Sequence, residues 1–417
     1  MESANFSMAE YGHSYDYGEA YTQLKEKIYP HPYEYILILI YGLVFLLAII
    51  GNTLVCIAVL RNEHMRTVTN YYIVNLAISD ILVSLVCLPI TVVVDVSETF
   101  FFGETMCSII PYVQNISVCV SIFTLTMIAV DRYLAICRPL KFQISSKRTV
   151  ITVITIWVLA FVTMLPHLLS MGTTSDPVMQ LIGKPVWFTK CIELKWVDSP
   201  WRKVYHVVTF LLTYLVPLVV VGVAYSMVCL RLWSGIPSDD AGPKTSNNNS
   251  SGKDDKGKRP TKVTNKNTEA QLQSRRKVAR MLIVVVVLFA VCYLPIRVLI
   301  ILQAFGLFSD ENLDMDWNGH VISVAYLIAH VMVYFNSAIN PVIYNFMSAK
   351  FQRAFKMTFA CCLPASQRQS LHATRYGYKC QSAVHSTAVS ETRMTNTNTE
   401  YISLTNRHPA ADSPDAP

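Results

Sequence analysis

Seven long apolar stretches alternate with short polar segments along the first 350 residues. They span residues 36–60, 71–94, 105–130, 149–171, 204–230, 281–303 and 317–349. A helix rises about 1.5 Å per residue, so each stretch is long enough to cross a hydrocarbon core of about 30 Å. Because lipid offers backbone groups no hydrogen-bond partners, such spans must be helical. The pattern predicts an all-α membrane protein, a bundle of seven transmembrane helices.

The third stretch carries landmarks at both of its ends. Cys107 lies near its beginning, and the uncharged run that follows ends abruptly at Asp131, Arg132 and Tyr133. One helix would therefore place a cysteine at one membrane face and an acid–base pair at the other. We expect the remaining spans to be organised around it.

The composition agrees with a membrane protein. The chain is 52% hydrophobic and 15% charged, with a mean hydropathy of +0.35, whereas soluble domains carry about a quarter charged residues. The net charge is +7, but the basic residues lie in short loops beside apolar spans. This distribution argues against a nucleic-acid partner.

Charge alternates between successive loops and predicts the orientation. An excess of Lys and Arg marks the cytoplasmic side. On one side lie Arg61, Arg66, Arg138, Lys141, Lys147, Arg148, the basic run 275–280, Lys350, Arg353 and Lys356. The other side carries Asp95, Glu98, Glu104, Asp310, Glu311, Asp314 and Asp316, although the loop 172–200 is basic. We expect an extracellular N-terminus and a cytoplasmic C-terminus at the plasma membrane.

Four regions follow from these patterns. Residues 1–32 form a polar extracellular tail without a cleavable signal, and Asn5 begins a glycosylation sequon. Residues 33–349 form the bundle, which includes a polar cytoplasmic loop, 234–271, predicted to be disordered. Residues 350–362 form a short amphipathic helix with a possible palmitoyl anchor, and residues 363–417 form a disordered cytoplasmic tail.

The amphipathic helix has its own membrane signals. Phe351, Phe355 and Phe359 recur every four residues, as in a helix that lies on the membrane surface. Cys361 and Cys362 follow directly and are candidates for palmitoylation. The alternative is that they are ordinary cytoplasmic thiols.

Short motifs occur in order on the expected spans, and together they are very specific. They are Gly51-Asn52, residues 75–80, Asp131-Arg132-Tyr133, Trp157, Pro217 with Tyr225, Cys292-Tyr293-Leu294-Pro295 and residues 340–344. With these motifs the chain resembles the rhodopsin-like (class A) G-protein-coupled receptors over about residues 33–362. The resemblance implies a receptor, not an enzyme, that couples to a heterotrimeric G protein. It also implies receptor kinases and arrestin as partners of the Ser/Thr-rich tail.

Several further segments resemble one subgroup of these receptors, and this resemblance bears on the activating peptide. Residues 94–103, 110–114, 205–206, 292–296 and 330–334 are similar to those of the orexin receptor group and the related allatotropin receptors. Thr209, Arg297 and Ile300 depart from the orexin pattern. The resemblance therefore implies an allatotropin-like or orexin-like amidated peptide, rather than orexin itself, as the ligand. It also implies coupling through Gq and calcium.

Nine residues form the predicted ligand site by this resemblance. Gln114 stands where amine receptors have an aspartate, so it argues against an amine and suits the amides of a peptide. The set comprises Thr91, Val94, Pro111, Gln114, Glu193, Tyr293, Arg297, His330 and Tyr334.

Two of these residues leave alternatives open. His330 either contacts the ligand or is a core histidine with its own hydrogen bonds. Arg297 needs a partner, which Glu193 or a peptide carboxylate would provide, or it snorkels outward toward acids such as Asp310. Cys107 and Cys191 are the cysteines well placed at the outer face, and we expect a disulfide between them that ties the third span to the loop 172–200. This loop is long enough to fold as an extracellular hairpin over the site.

The cytoplasmic end carries the predicted activation residues. The resemblance implies that Arg132 pairs with Asp131 in the closed state and meets the G protein when it is released. The set comprises Asp131, Arg132, Tyr133, Tyr225, Asn340, Pro341 and Tyr344. Arg275 and Arg276 stand near the start of the sixth span, where many class A receptors have an acidic residue that forms a second ion pair. Its replacement by arginine predicts a weaker ionic contact in the closed bundle.

Asp80 is a carboxylate at membrane depth, where an ionised group needs a partner. The resemblance places it in a sodium site with Ser121, Asn336 and Ser337. No other cofactor is expected, and hydrogen bonds alone are the alternative for Asp80.

Other functions fit less well. A class A receptor for a different peptide, neuropeptide FF-like or cholecystokinin-like, is the main alternative. A photoreceptor would need a lysine in the seventh span, and Tyr334 stands at that position. A transporter would show inverted repeats and paired broken helices, and a membrane enzyme would show a catalytic constellation; the spans contain neither.

Overall fold

The computed structural model describes residues 32–138, 146–181, 184–196, 199–233, 262–307 and 315–358. Seven helices in this part of the chain are long and apolar enough to span a membrane, which confirms the predicted seven-helix bundle. They are α1, Pro32–Arg61; α2, Val68–Ser97; α3, Gly103–Cys137; α4, Ser146–Ser170; α5, Pro200–Trp233; α6, Lys262–Ala304; and α7, Met315–Met347.

The loop between α4 and α5 forms an antiparallel hairpin, as predicted. Its strands are β1, Gly172–Leu181, and β2, Lys184–Ile192. The register pairs Gly172 with Ile192 and Thr173 with Cys191. Short 3-10 turns follow at Glu63–Met65, between α1 and α2, and at Leu194–Trp196, after the hairpin.

A short amphipathic helix, α8, covers Ala349–Thr358, close to the predicted bounds. Phe351 and Phe355 are buried, and the Phe351 ring stacks on Tyr344 at a centroid distance of 5.5 Å. The residues after Phe355 form a second unit, of which the structure describes only 356–358. Asn5, Cys361, Cys362 and the tail that was predicted to be disordered, 363–417, lie outside the described residues.

Helix α3 lies at the centre of the bundle. It contacts α2, α4, α5 and α6, and 61% of its apolar window is buried, compared with 22–44% in the other spans. The lipid-facing sides of the outer helices expose large apolar residues instead, including Ile36, Val162 and Leu230. The landmarks at the two ends of α3 therefore lie where several helices meet.

Both α2 and α5 contain a π-helical turn, at Val83–Cys87 and Leu211–Leu215. Each turn is followed within two residues by a proline, Pro89 or Pro217. A proline has no N–H and clashes with the preceding turn, so a local widening of the helix accommodates it. The widening changes which residues of the outer half face the bundle.

Helix α6 begins earlier than its apolar stretch indicated. It starts at Lys262, within the segment 234–271 that composition alone predicted as disordered. From Glu269 to Arg280 most residues are good helix formers (Glu, Ala, Gln, Leu, Arg and Lys), and glycine and proline are absent, so the local propensity favours a helix over this part.

Candidate functional site

A cavity of about 430 Å³ opens between the outer halves of the helices and the hairpin. Eight of the nine predicted ligand residues line it, namely Thr91, Val94, Pro111, Gln114, Glu193, Tyr293, Arg297 and His330. The ninth, Tyr334, is fully buried behind the wall, where its hydroxyl lies 2.6 Å from Thr91 Oγ1. Thr209 and Ile300, two of the departures from the orexin pattern, also line the cavity.

The hairpin is tied to α3 by the Cys107–Cys191 disulfide, with a Cα–Cα distance of 5.5 Å. This bond confirms the predicted pairing. The segment before α3 is joined to the same hairpin, because the Phe100 amide donates to the Thr189 carbonyl at 2.7 Å. Glu193, two residues after Cys191, is thereby held at the mouth of the cavity.

Glu193 lies among three basic side chains. Its carboxylate is 3.0 Å from Arg202 Nε, 2.9 Å from His206 Nε2 and 3.2 Å from His167 Nδ1. Burial alone would raise the pKa of this carboxyl, but hydrogen bonds and charge from His167 and His206 lower the pKa well below its usual range. The ion pair predicted as one possibility between Glu193 and Arg297 is absent, because Glu193 pairs with Arg202 instead.

Sequence reasoning missed this cluster because its members lie on three separate elements. His167 is on α4, Glu193 follows β2, and Arg202 and His206 are on α5. One signal was present, since Arg202 and His206 are four residues apart and so share a helix face.

His330 faces a second acid of the cavity. Its Nδ1 lies 3.0 Å from Asp95 Oδ1, and the Tyr41 hydroxyl donates to Asp95 Oδ2 at 2.6 Å. Sequence reasoning treated Asp95 as a loop acid and did not consider Tyr41. Asp95 is one turn beyond Thr91 on α2, which is the signal that could have placed it in the site.

Arg297 is 6% exposed and lines the cavity. It does not snorkel outward, so that alternative was wrong. Tyr293, one turn before it on α6, is also buried, and its ring packs against Phe289 at a centroid distance of 4.5 Å. The two residues place a cation and a phenol in the inner part of the cavity wall.

Asp80 lies in the core of the bundle and is 2% exposed. Asn340 Nδ2 donates to Asp80 Oδ2 at 2.9 Å, and the Ser337 hydroxyl lies beside the carboxylate without completing a hydrogen bond. Ser121 Oγ is 3.0 Å from Ser79 Oγ, and Asn336 is buried. Oxygen atoms that lack partners beside a carboxylate fit a hard cation such as Na⁺.

The end of the bundle opposite the hairpin contains Asp131, Arg132 and Tyr225 of the predicted activation residues. Arg132 pairs with Asp131 at 2.6 Å, and the buried Tyr225 hydroxyl has no hydrogen-bond partner within the described part of the chain. Arg132 and Arg275 line a cavity of about 220 Å³ between α3 and α6. Arg276 donates twice to the Leu232 carbonyl, at 2.6 and 3.1 Å, so it holds α6 against the end of α5.

A seven-helix bundle with this inner ion pair, this core carboxylate and a disulfide-bound outer loop defines a class of membrane receptors. The chain belongs to the rhodopsin family of seven-transmembrane receptors, whose family model, "7 transmembrane receptor (rhodopsin family)", matches residues 51–344. It is also similar to human neuropeptide FF receptor 1, with 31% identity over 353 residues, which are 83% of this chain and 76% of that protein. The family consists of receptors and not of enzymes, as the sequence predicted.

Proposed function

We propose that this chain is a plasma-membrane receptor for a neuropeptide, which binds in the outer cavity and opens the inner face to a heterotrimeric G protein. The observation that carries the proposal is the composition of the cavity wall. Gln114, tyrosines and histidines line it, and its two acids, Asp95 and Glu193, already have basic or hydroxyl partners. Such a wall suits the amides and side chains of a peptide better than a small ammonium.

The orientation follows from charge. Arg61, Arg66, Arg275 and Arg276 lie on the membrane side that also carries Arg132, and Lys/Arg excess marks the cytoplasm. The hairpin and the outer cavity would then be extracellular, with the N-terminus outside and the C-terminus inside.

Two ligand classes compete. Gln114, Tyr293 and His330 line one cavity, and in sequence they resemble receptors for allatotropin-like or orexin-like amidated peptides. The identity with human neuropeptide FF receptor 1 supports a neuropeptide FF-like ligand instead. Coupling through Gq and calcium is the expectation for the allatotropin-like or orexin-like class.

The conformational change would pass from the ligand cavity to the G-protein side along α6 and α7. Ligand contacts near Tyr293 would favour one of two arrangements of the bundle, with Asn340-Pro341 as the adjustable part of α7. Arg132 would leave Asp131 and meet the G protein together with Tyr225 and Tyr344. Receptor kinases and arrestin would act on the Ser/Thr-rich tail.

The test is a calcium-flux dose–response in cells that express the full chain. The panel contains amidated allatotropin-like peptides, orexins, neuropeptide FF-like and cholecystokinin-like peptides. A nanomolar-range response to one class identifies the ligand group. Silence to every peptide, with the receptor verified at the surface and a promiscuous G protein present, would count against the proposal.

Binding is then assigned by substitution. Gln114→Ala and His330→Ala should each raise the half-maximal concentration about 10-fold or more, since each removes a polar contact in a buried site. Ile109→Ala and Ile328→Ala are matched controls, because these residues lie on the same helices and are exposed on the bundle surface. If Gln114→Ala and His330→Ala both leave the dose–response curve unchanged, Gln114 and His330 are not part of the ligand site.

A further inference from the structure

The Arg297 guanidinium is a buried cation without an acidic partner among the described residues. No carboxylate in the described part of the chain forms an ion pair with it. The groups that interact with its charge are Cys119, Tyr205, Tyr214 and Tyr293, a thiol and three phenols that are neutral near pH 7. A charge at this depth is costly unless it is paired.

The two acids of the cavity are already engaged. Glu193 contacts Arg202, His206 and His167. Asp95 contacts Tyr41 and His330 on the opposite side.

Neither carboxylate can therefore neutralise Arg297 without breaking its present contacts. The charge of Arg297 remains available to whatever enters the cavity.

We propose that Arg297 binds a carboxylate of the peptide ligand, either an acidic side chain or a free C-terminus. The inference rests on the proposed function and adds the chemical group that the ligand must carry. A guanidinium presents two parallel N–H donors that match the two oxygens of a carboxylate. Because Arg297 lies one turn from Tyr293, the bound group would neutralise charge beside the Tyr293–Phe289 ring pair on α6.

The first test needs no peptide. In the purified full-length receptor, Arg297→Gln should raise the melting temperature by roughly 2–5 °C, because it removes an uncompensated buried charge. Arg202→Gln is the matched control and should lower it, because that arginine is paired with Glu193. A loss of stability in Arg297→Gln comparable to that in Arg202→Gln would mean that Arg297 is paired, and would overturn the inference.

A small probe tests the anion directly. Sodium benzoate should raise the melting temperature of the wild-type receptor in a saturable manner, whereas neutral benzamide and sodium chloride of equal ionic strength should not. The benzoate effect should disappear in Arg297→Gln. An equal effect of benzoate on both receptors, or none on the wild type, contradicts carboxylate binding at Arg297.

The peptide test uses whichever peptide of the panel activates the receptor. Each carboxylate of that peptide is replaced by an amide. One analogue should lose about 10- to 100-fold in potency on the wild type, as expected for a charge-assisted hydrogen bond, and should lose nothing further on Arg297→Gln. Arg297→Lys should restore part of the response.

The two proposals fail in different ways. If every amide analogue equals its parent peptide on the wild type, the carboxylate inference is wrong although the receptor function stands. If no peptide activates the receptor, the proposed function fails, and the benzoate and stability measurements still decide whether Arg297 binds a carboxylate.

Discussion

Gly51 on α1 lies directly against Pro341 on α7: a Cβ built on Gly51 would be 2.8 Å from both Cβ and Cγ of the proline ring. A side chain at position 51 would therefore force α1 and α7 apart. Overpacking of this kind costs about 1–3 kcal/mol, or roughly 2–10 °C in melting temperature. We expect Gly51→Val to lower the melting temperature of the purified receptor by this amount and to reduce its surface expression, with Gly51→Ala weaker in the same direction.

Gly42 provides the control on the same helix. A Cβ there has nothing within 4 Å, and alanine is the better helix former by about 1 kcal/mol. Gly42→Ala should be neutral or stabilising. If both alanine variants behave alike, the contact between Gly51 and Pro341 does not restrict position 51.

The spans were predictable because lipid imposes a single backbone solution on a long apolar stretch. The third span was predicted at 105–130 and is Gly103–Cys137, since helical hydrogen bonds continue past the last apolar residue into the polar Asp131-Arg132-Tyr133 segment. The π-helical turns were not predicted, because the prolines that follow them indicate a disturbance without giving its geometry.

The site was predictable where positions lie close together on one helix. Gln114 and Pro111 both line the cavity, as the resemblance implied, and their separation of three residues places them on one face of α3. The partners of the charged residues were not predictable in this way. The contact between Asp95 and His330 joins residues 235 apart in sequence, and only the packing of α2 against α7 brings them together.

Glu193 should give the receptor a measurable acid sensitivity. Its carboxyl pKa is lowered in the folded receptor, since His167 and His206 outweigh the effect of burial. A lowered pKa stabilises the fold fully above the ordinary value of about 4.3, and this contribution fades as the pH falls toward the folded-state pKa. Glu193→Gln should therefore lower the melting temperature between pH 5 and 7, and the deficit should shrink from about pH 4 downward.

Melting curves at pH 3, 4, 5 and 7 in detergent test this dependence. Glu104→Gln is the matched control, because Glu104 is an exposed acid at the same end of the bundle. A deficit in Glu193→Gln that stays constant across the range would contradict a lowered pKa.

Arg132 should be needed for signalling but not for binding. Its guanidinium pairs with the Asp131 carboxylate at 2.6 Å, and among the described residues no member of the ligand cavity forms an ion pair with it. Arg132→Ala should keep peptide affinity within about 3-fold while calcium signalling is lost, and Asp131→Asn should raise basal signalling because it frees Arg132. Radioligand binding and calcium flux measured on the same cells separate the two effects.

Lys350→Ala controls for the loss of a basic residue at the same end of the bundle, since Lys350 is exposed. Full calcium signalling by Arg132→Ala would refute its role in activation.

Sodium should stabilise the inactive receptor through Asp80. The oxygens of Ser337 and Asn340 that lack partners lie around a carboxylate that already accepts from Asn340 Nδ2, so a small hard cation completes their contacts. Replacing N-methylglucamine chloride with sodium chloride should raise the melting temperature of the ligand-free receptor and weaken agonist binding about 5-fold or more. Asp80→Asn keeps the side-chain shape but removes the charge, and should abolish both effects.

Potassium chloride at equal concentration is the control that distinguishes binding at a size-selective site from an effect of ionic strength. If potassium reproduces the sodium effect, or if Asp80→Asn retains it, Asp80 is held by hydrogen bonds alone.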